Sequence, residues 1–509
     1  MILPNQINLA EIAFLQHQVA EEQETQARII KARALQEGYF DSTLATATQN
    51  KLIGGTADDI SGVNMCLIAN RTLVRRVNVT EMTSPDEALA SWMQSVWSFN
   101  QLNSIQRELH RMAQRDGVSF AIVDYDLSAN RPYEEGAKGM PVITVHERYT
   151  DPSIAVFGET GNGEGCKAHW RNNDPNQHLE MVSKRWVQTV YEDGEPITSQ
   201  RMTLYINKQP EIAARIEKFI IDDDGAWAEH TDQIVDESGN LTDEEWPIWW
   251  TIDQTEAGES MEIPVAVFRN ESTAPGERSI WGLQAGMDQF WSMLLGTGSV
   301  TAHQLLVAIG FYPTTDGKVP ADDGSNLMEI SPRQILGTAV PKTKADMKAL
   351  PPADLRPIID GIDKIAMMTA LVAGLPLKNF VFTRQVSSGK ALQYGEVELL
   401  ASANELIDRF EPTWVKIFTL ARQQALIFGS ESWSTDSVIA VQWSPTELVN
   451  QDVRIDDVSG RQLAGVDDDS IKRDVYGYTQ AEIDAMPASD GEAATGSTEE
   501  TSSEEPDDA

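Results

Sequence analysis

Residues 372–430 decide the fold, and they read VAGLPLKNFVFTRQVSSGKALQYGEVELLASANELIDRFEPTWVKIFTLARQQALIFGS. Gly374 and Pro376 predict the end of one helix, because glycine can close a helix in the left-handed conformation and proline cannot continue it. After a polar loop, apolar residues recur in steps of three, four or seven from Leu392 to Ala425, which predicts a long helix with one apolar face. Pro412 lacks a backbone donor, so we expect a kink over residues 408–411.

Two more helices are predicted before this stretch. An apolar-periodic run over residues 279–295 is expected to end at Gly296-Thr297-Gly298, and a second run covers residues 354–372. The residues between them alternate short apolar runs with turn-rich segments, which favours a small β-containing module between the two helices.

The first half of the chain predicts a mixed unit of helices and strands. A polar helix is expected over residues 8–37, which we interpret as an arm across a neighbour. Ser84 is the expected cap of a following helix, with Pro85 at its first position. Strand signals dominate residues 141–219, and Asp193-Gly194 is typical of a hairpin turn.

Much of the formal net charge of −38 comes from two segments. Residues 221–262 contain fourteen Asp or Glu and no Lys or Arg, and the residues after Met486 contain eight, again without a base. Such acidity disfavours tight binding to phosphates, because Lys and Arg supply most of that affinity. It fits ordinary solubility as well as a protein past which DNA must slide.

No catalytic, cofactor-binding or metal-binding signature stands out. The glycine-rich run at residues 158–165 is not followed by a helix, and Ser388-Gly389-Lys390 lacks the other parts of a Walker A loop. The seven histidines form no metal-ligand spacing, and Cys66 and Cys166 are isolated from each other. No signal peptide or membrane span is predicted. We therefore expect no enzyme activity, cofactor or membrane partner.

The order of these elements resembles the portal proteins of tailed bacteriophages. The run LVAGLPLKNFVFTRQVSSGKALQYGEVELL, residues 371–400, is similar to their tunnel loop and long helix, in which a Ser-Gly-x-Ala-Leu segment with a nearby glutamate, here Glu396, starts the helix. Residues 97–124 resemble the core of the portal wing. IPVAVFRNESTAPGERSIWGLQAGMDQFWSMLL, residues 263–295, resembles the strand, loop and first stem helix. The resemblance covers residues 60–480.

The resemblance implies an α+β, portal-like fold with a mixed α/β wing, a two-helix stem, a small β-containing clip, a long kinked helix and a helical crown. The corresponding segments are an N-terminal helical arm (1–55), the wing (56–278), the first stem helix (279–298), the clip (299–353), the second stem helix (354–372), the tunnel loop (373–390), the long helix and its return to the wing (391–444), the crown (445–486) and a disordered acidic tail (487–509).

In function, the resemblance implies a homo-oligomeric ring, expected to be a dodecamer, at one capsid vertex of a virion assembled in the host cytoplasm. The ring would admit and release double-stranded DNA without sequence specificity. Its further partners would be the terminase large subunit, a head–tail adaptor, and capsid and scaffolding proteins.

Two groups of basic residues are then candidate sites. The first group lies in the tunnel loop and consists of Lys378, Arg384 and Lys390. These side chains could contact DNA phosphates in the channel, or they could equally pair with acidic residues of an adjacent subunit. The clip offers a docking surface for terminase or an adaptor through Lys318, Lys342, Lys344 and Lys348.

Two other interpretations stay open. One is an enzyme of unrecognised type, with the β-rich middle as its substrate domain, and it predicts a monomer or dimer with a small-molecule pocket. The other is a different structural component of a virion that lacks a central channel.

Overall fold

The computed structural model describes residues 23–38, 63–125, 140–176, 178–192, 195–207, 214–221, 227–229, 233–235, 241–245, 249–251, 262–301, 306–309, 346–349, 354–377, 396–428, 433, 437–445 and 458–476 of the chain. The chain divides into two compact units, residues 1–447 and 448–509. Helices and strands both contribute to the first unit, as expected for an α+β protein.

The helices of the described part are distributed along the sequence from residue 23 to residue 476. They are α1 (Gln23–Glu37), α2 (Met65–Val74), α3 (Glu87–Phe99), α4 (Leu102–Asp116), α5 (Trp281–Thr301), α6 (Arg356–Val372), α7 (Val397–Phe428) and α8 (Asp468–Tyr476). A 3₁₀ turn, Gly276–Ile280, runs directly into α5.

The strands form small antiparallel sheets. They are β1 (Val79–Thr83), β2 (Val118–Tyr125), β3 (Pro141–His146), β4 (Ala155–Val156), β5 (Glu159–Thr160), β6 (Gly165–Trp170), β7 (Leu179–Glu192), β8 (Glu195–Ile206), β9 (Arg215–Ile221), β10 (Trp227–Glu229), β11 (Gln233–Val235), β12 (Leu241–Glu245), β13 (Trp249–Thr251), β14 (Val265–Arg269), β15 (Leu306–Ile309), β16 (Asp346–Ala349) and β17 (Ala440–Trp443).

The two larger sheets are formed by strands between residues 118 and 269. One has the strand order β14-β2-β3, and the other has the order β10-β9-β8-β7-β6 with β13 also paired to β9. Strands β7 and β8 pair from Glu192 opposite Glu195 onwards, which confirms the predicted two-residue hairpin between them. Apolar side chains of both sheets, such as Phe120 and Val182, share one core cluster.

Helix α7 forms the centre of the main core. All described members of the predicted apolar stripe are buried, which confirms that this helix has a single packing face; they are Leu399, Ala403, Leu406, Phe410, Trp414, Ile417, Ala421 and Ala425. The helix continues through Pro412 over its 32 residues, about 48 Å. Strand β17 then pairs with β1, so the chain returns from α7 to the first half of the molecule.

A neutral histidine lies within this core. His110 on α4 is fully buried, and its ring stacks on Phe410 with 4.8 Å between centroids. Trp414 Nε1 donates to His110 Nε2 at 3.0 Å, so Nδ1 carries the proton and donates to the carbonyl of Val77, also at 3.0 Å. Burial lowers the pKa of His110 to about 4, although the Val77 bond acts to raise it.

Helix α1 packs on its own chain through a buried ion network, so this part of the predicted arm is attached to the body. Arg33 donates to Asp116 at 2.7 Å and to Glu147 at 3.0 Å, and Arg115 binds the same two acids at 2.7 and 2.8 Å. Burial would raise the pKa of Asp116, but the two guanidinium groups outweigh it and lower the pKa.

Two local predictions were wrong in detail. The cap of α3 is Asp86, whose carboxylate accepts from the amides of Ala88 and Leu89, whereas Ser84 instead accepts from the amide of Asp86. Helix α5 does not stop at Gly296 but continues to Thr301. Gly296 and Gly298 do not adopt the positive φ with which glycine commonly closes a helix, and inside a helix glycine costs only about 1 kcal/mol.

The second unit is described over residues 458–476. Helix α8 is capped by Asp467, whose carboxylate accepts from the amide of Ser470 at 2.9 Å and from its hydroxyl at 2.8 Å. Ile471 is buried. This helix lies within residues 445–486, for which the resemblance implies helical structure.

Candidate functional site: a two-helix stem with an exposed apolar patch

Helices α5 and α6 pack against each other in opposite directions. Gly286 on α5 faces Ile365 on α6, and further along α5 Phe290 lies against Gly361. A β-carbon on Gly361 would come within 2.3 Å of the Phe290 ring, so the absence of a side chain allows this close approach. Met287 packs with Ile362, Ile365 and Ala366 between the two contacts. We call this antiparallel pair the stem.

A short antiparallel β-pair lies between the stem helices in the sequence. Strand β15 follows α5, and β16 precedes α6; Leu306 pairs with Ala349 and Ile309 with Asp346. The chain therefore leaves the body along α5, forms an antiparallel pair, and returns along α6.

The stem has little burial of its own. In α6 only Ala366, Thr369 and Ala370 are buried. Its last two turns expose a patch of four apolar side chains at positions i, i+1, i+4 and i+5, which share one side of a helix. This stem patch consists of Met367 (44% exposed), Met368 (58%), Leu371 (78%) and Val372 (50%).

Two features are described beyond the end of α6, at Gly374 and at Glu396. After α6, Gly374 has a φ of +62°, which confirms the predicted helix stop. At the start of α7, the buried Glu396 binds Arg76 at 3.1 Å, which ties the beginning of the long helix to the end of α2. Val397 beside it is exposed.

The exposed apolar side chains are unusual because solvent normally meets polar residues on a helix. Single exposed apolar residues are common, but a contiguous group marks an interaction surface. The opposite end of α6 exposes Ile359 singly among the charged residues Arg356, Asp360, Asp363 and Lys364, so the contiguous apolar group lies in the half near the body. The stem patch is therefore the feature of the described surface that most clearly calls for a partner.

Most of the predicted site residues lie outside the described residues. These are the channel residues Lys378, Arg384 and Lys390, and the clip residues Lys318, Lys342 and Lys344. Lys348 lies on β16, where it pairs with Val307. The predicted tunnel loop, residues 373–390, is described only as far as Leu377, and the description resumes at Glu396.

The described residues offer no cluster suited to a metal. Among them no group of three or more His, Cys, Asp or Glu is arranged to hold an ion. Cys66 and Cys166 are both buried free thiols, and burial raises the pKa of the Cys166 thiol to about 12. None of the helices within the described ranges is both long and apolar enough to cross a membrane.

Two polar groups were missed by reasoning on the sequence. The Arg76–Glu396 pair joins residues 320 positions apart, and Glu277 binds Gln36 and Asn70 at separations of 241 and 207. No local pattern marks such long-range partners. The stem patch was equally hidden, because periodicity identifies an apolar helix face without saying whether anything in the same chain covers it.

Comparison with models of known protein families and with curated proteins gave no match to this sequence.

Proposed function

We propose that the chain is the portal protein of a tailed bacteriophage, a ring at one capsid vertex through which DNA is packaged and ejected. The observation that carries this proposal is the stem. It consists of two antiparallel helices with a β-pair between them in the sequence, and its apolar patch is exposed in the described part of the chain. In a ring, the next copy would cover that patch. A head-to-tail contact between copies generates a closed ring when the rotation per copy is right.

The order of elements also supports the proposal. A mixed α/β body precedes the first stem helix, a β-pair lies between the stem helices, and a long helix follows the second and returns to the body through β17. This is the order that the resemblance to portal proteins implies for wing, stem, clip and long helix. The finer assignment of a portal-like fold, including the crown and the dodecameric ring, is part of the proposal.

The acidic composition suits a conduit. Each fixed contact between a basic side chain and a phosphate must break as DNA moves, so few such contacts are expected along the channel. In the proposed ring, Lys378, Arg384 and Lys390 would supply transient contacts from the tunnel loop, or would pair with acids of the adjacent copy. The four clip lysines, Lys318, Lys342, Lys344 and Lys348, would face the terminase or the head–tail adaptor.

Negative-stain imaging of the purified full chain tests the proposal. Rings with a central opening wide enough for duplex DNA are expected. A virion component without a channel would give assemblies lacking that opening. An enzyme with a small-molecule pocket would give monomers or dimers at every concentration, and either of these results would contradict the portal assignment.

A further inference from the structure

The carboxyl group of Glu277 is buried where the body meets the first stem helix. Glu277 lies in the 3₁₀ turn before α5 and is 5% exposed. Its Oε1 accepts a hydrogen bond from Nε2 of Gln36 on α1 at 2.7 Å and from Nδ2 of Asn70 on α2 at 2.6 Å. One carboxyl group thereby joins α1 and α2 to the base of α5.

Two acceptor atoms at this junction have no hydrogen-bond donor within the described part of the chain. They are Oε2 of Glu277 and Oδ1 of Asn70, and both are shielded from solvent. A buried polar atom left unpaired costs about 1–3 kcal/mol. Since Nδ2 of Asn70 already donates to Oε1, a proton on Oε2 that is donated to Oδ1 would complete a two-bond acid–amide pair and satisfy both atoms.

None of the described charged groups around Glu277 donates a hydrogen bond to Oε2 in place of that proton. The described ionisable groups that face Glu277 are Arg115 on α4 and Cys66 on α2. Arg115 makes its short hydrogen bonds to Asp116 and Glu147. The other ionisable groups nearby, which face Cys66 or line the adjacent cavity, are Asp288, Lys31, Arg278, Glu405, Arg409 and Glu271.

We propose that Glu277 and Asn70 share a proton and form a pH-sensitive joint between the body and the first stem helix. The joint is closed when the acid is protonated. Loss of the proton leaves a buried charge and removes the bond from Oε2 to Asn70 Oδ1. This cost exceeds the gain in the two bonds that Oε1 accepts, so the junction opens more readily. A cavity of about 530 Å³, lined by both Asn70 and Glu277, provides space for water when the joint opens.

The direction of the pH effect follows from the burial of the acid. Burial raises the pKa of Glu277 from 4.5 to about 7, against the hydrogen bonds from Asn70, from its own backbone amide and from Gln36, which lower it. A raised pKa in the closed state means that the proton's contribution is complete below pH 4.5 and is lost as the pH rises through 7. With an open-state pKa near 4.5, the open fraction increases about tenfold from pH 6 to pH 8.5.

The buried thiol of Cys66, in the same helix as Asn70, reports on this opening. The chain has two cysteines, so Cys166→Ala leaves Cys66 as the only thiol. Its maleimide labelling rate is measured from pH 6 to pH 8.5 and divided by the rate of the urea-unfolded chain at the same pH, which removes the effect of thiolate formation. The matched variant adds Glu277→Gln, whose amide can donate to Asn70 Oδ1 at every pH.

The expected result is a rise of the normalised rate that is approximately tenfold greater in the Glu277 chain than in the Glu277→Gln variant, with the variant no less protected at pH 8.5. The variant supplies the baseline for Asp288, whose pKa burial also raises to about 7. Equal pH profiles in the two chains would overturn the proposal. So would a Glu277→Gln variant that is more open at both pH values, because the carboxylate itself would then be the required form.

Hydrogen exchange of the unsubstituted chain gives a second measurement that needs no mutation. The exchange rates of the amides of residues 276–288 are divided by their intrinsic rates at each pH. The resulting protection should decrease about tenfold between pH 6 and pH 8.5. Unchanged protection would overturn the proposal. Neither measurement depends on ring formation, so the joint and the portal assignment succeed or fail separately.

Discussion

Replacing Leu371 by serine is expected to weaken assembly while leaving the single chain nearly as stable as before. Leu371 is the most exposed member of the stem patch, and 78% of its surface meets solvent. Complete burial of a leucine side chain stabilises by about 1.5–3 kcal/mol. Because only about a fifth of the Leu371 surface is buried in the single chain, the substitution should lower the stability of that chain by roughly 0.5 kcal/mol.

The larger part of this free energy appears only when another copy covers the patch. Burial of the remaining surface of Leu371 would contribute about 2 kcal/mol per contact between copies, and its loss corresponds to roughly a thirtyfold weaker contact. Serine adds a hydroxyl that the neighbouring surface is not shaped to bond, which increases the loss.

Sedimentation velocity over a range of concentrations measures the assembly, and thermal unfolding of the dissociated chain measures its stability. The matched control is Leu463→Ser in the second unit, where the leucine is 90% exposed. Leu371→Ser should shift assembly to higher concentration and the control should not. Unchanged assembly, or a single chain destabilised by several kcal/mol, would refute the reasoning.

Three further predictions concern other parts of the chain. Arg33→Met should lower the free energy of unfolding by about 2–3 kcal/mol in urea titrations, because it removes bonds to buried Asp116. The control Arg28→Ala removes a pair with the exposed Glu24 in the same helix and should change this free energy by less than about 0.5 kcal/mol. Because burial lowers the pKa of His110 to about 4, the contribution of the neutral imidazole to the free energy of unfolding is complete above pH 6.5 and is lost as the pH falls. Between pH 7 and pH 5 the chain should therefore lose about 2 kcal/mol more stability than the His110→Phe variant. Equal losses in the two chains would contradict this prediction. Shortening residues 378–390 should leave rings intact but impair DNA packaging, whereas a chain that no longer folds would show that the loop belongs to the core.

Local chemistry accounts for what the sequence predicted well. The hairpin at Asp193-Gly194, the helix stop at Gly374 and the buried face of α7 each depend on residues within a few turns of one another. The two wrong predictions, a helix cap and a helix end, also concerned local alternatives that differ little in free energy. Ser84 and Asp86 are both good caps, and the glycines at the end of α5 stop a helix only if they adopt a positive φ.

The candidate site could be predicted only in outline. Periodicity located both stem helices, yet the same pattern fits a helix that is buried in its own chain and one that leaves Leu371 exposed. The joint at Glu277 depends on partners more than 200 positions away, so its protonation is a property of the fold and not of any motif.

Photo-crosslinking from position 368 tests the central claim most directly. Met368 is 58% exposed in the stem patch, and a benzophenone side chain placed there reacts with whatever covers it. A ring of head-to-tail contacts predicts a ladder of covalent products that extends beyond the dimer, with crosslinks to a different surface of the next copy. A product that stops at the dimer, or no product between copies at all, would contradict the account.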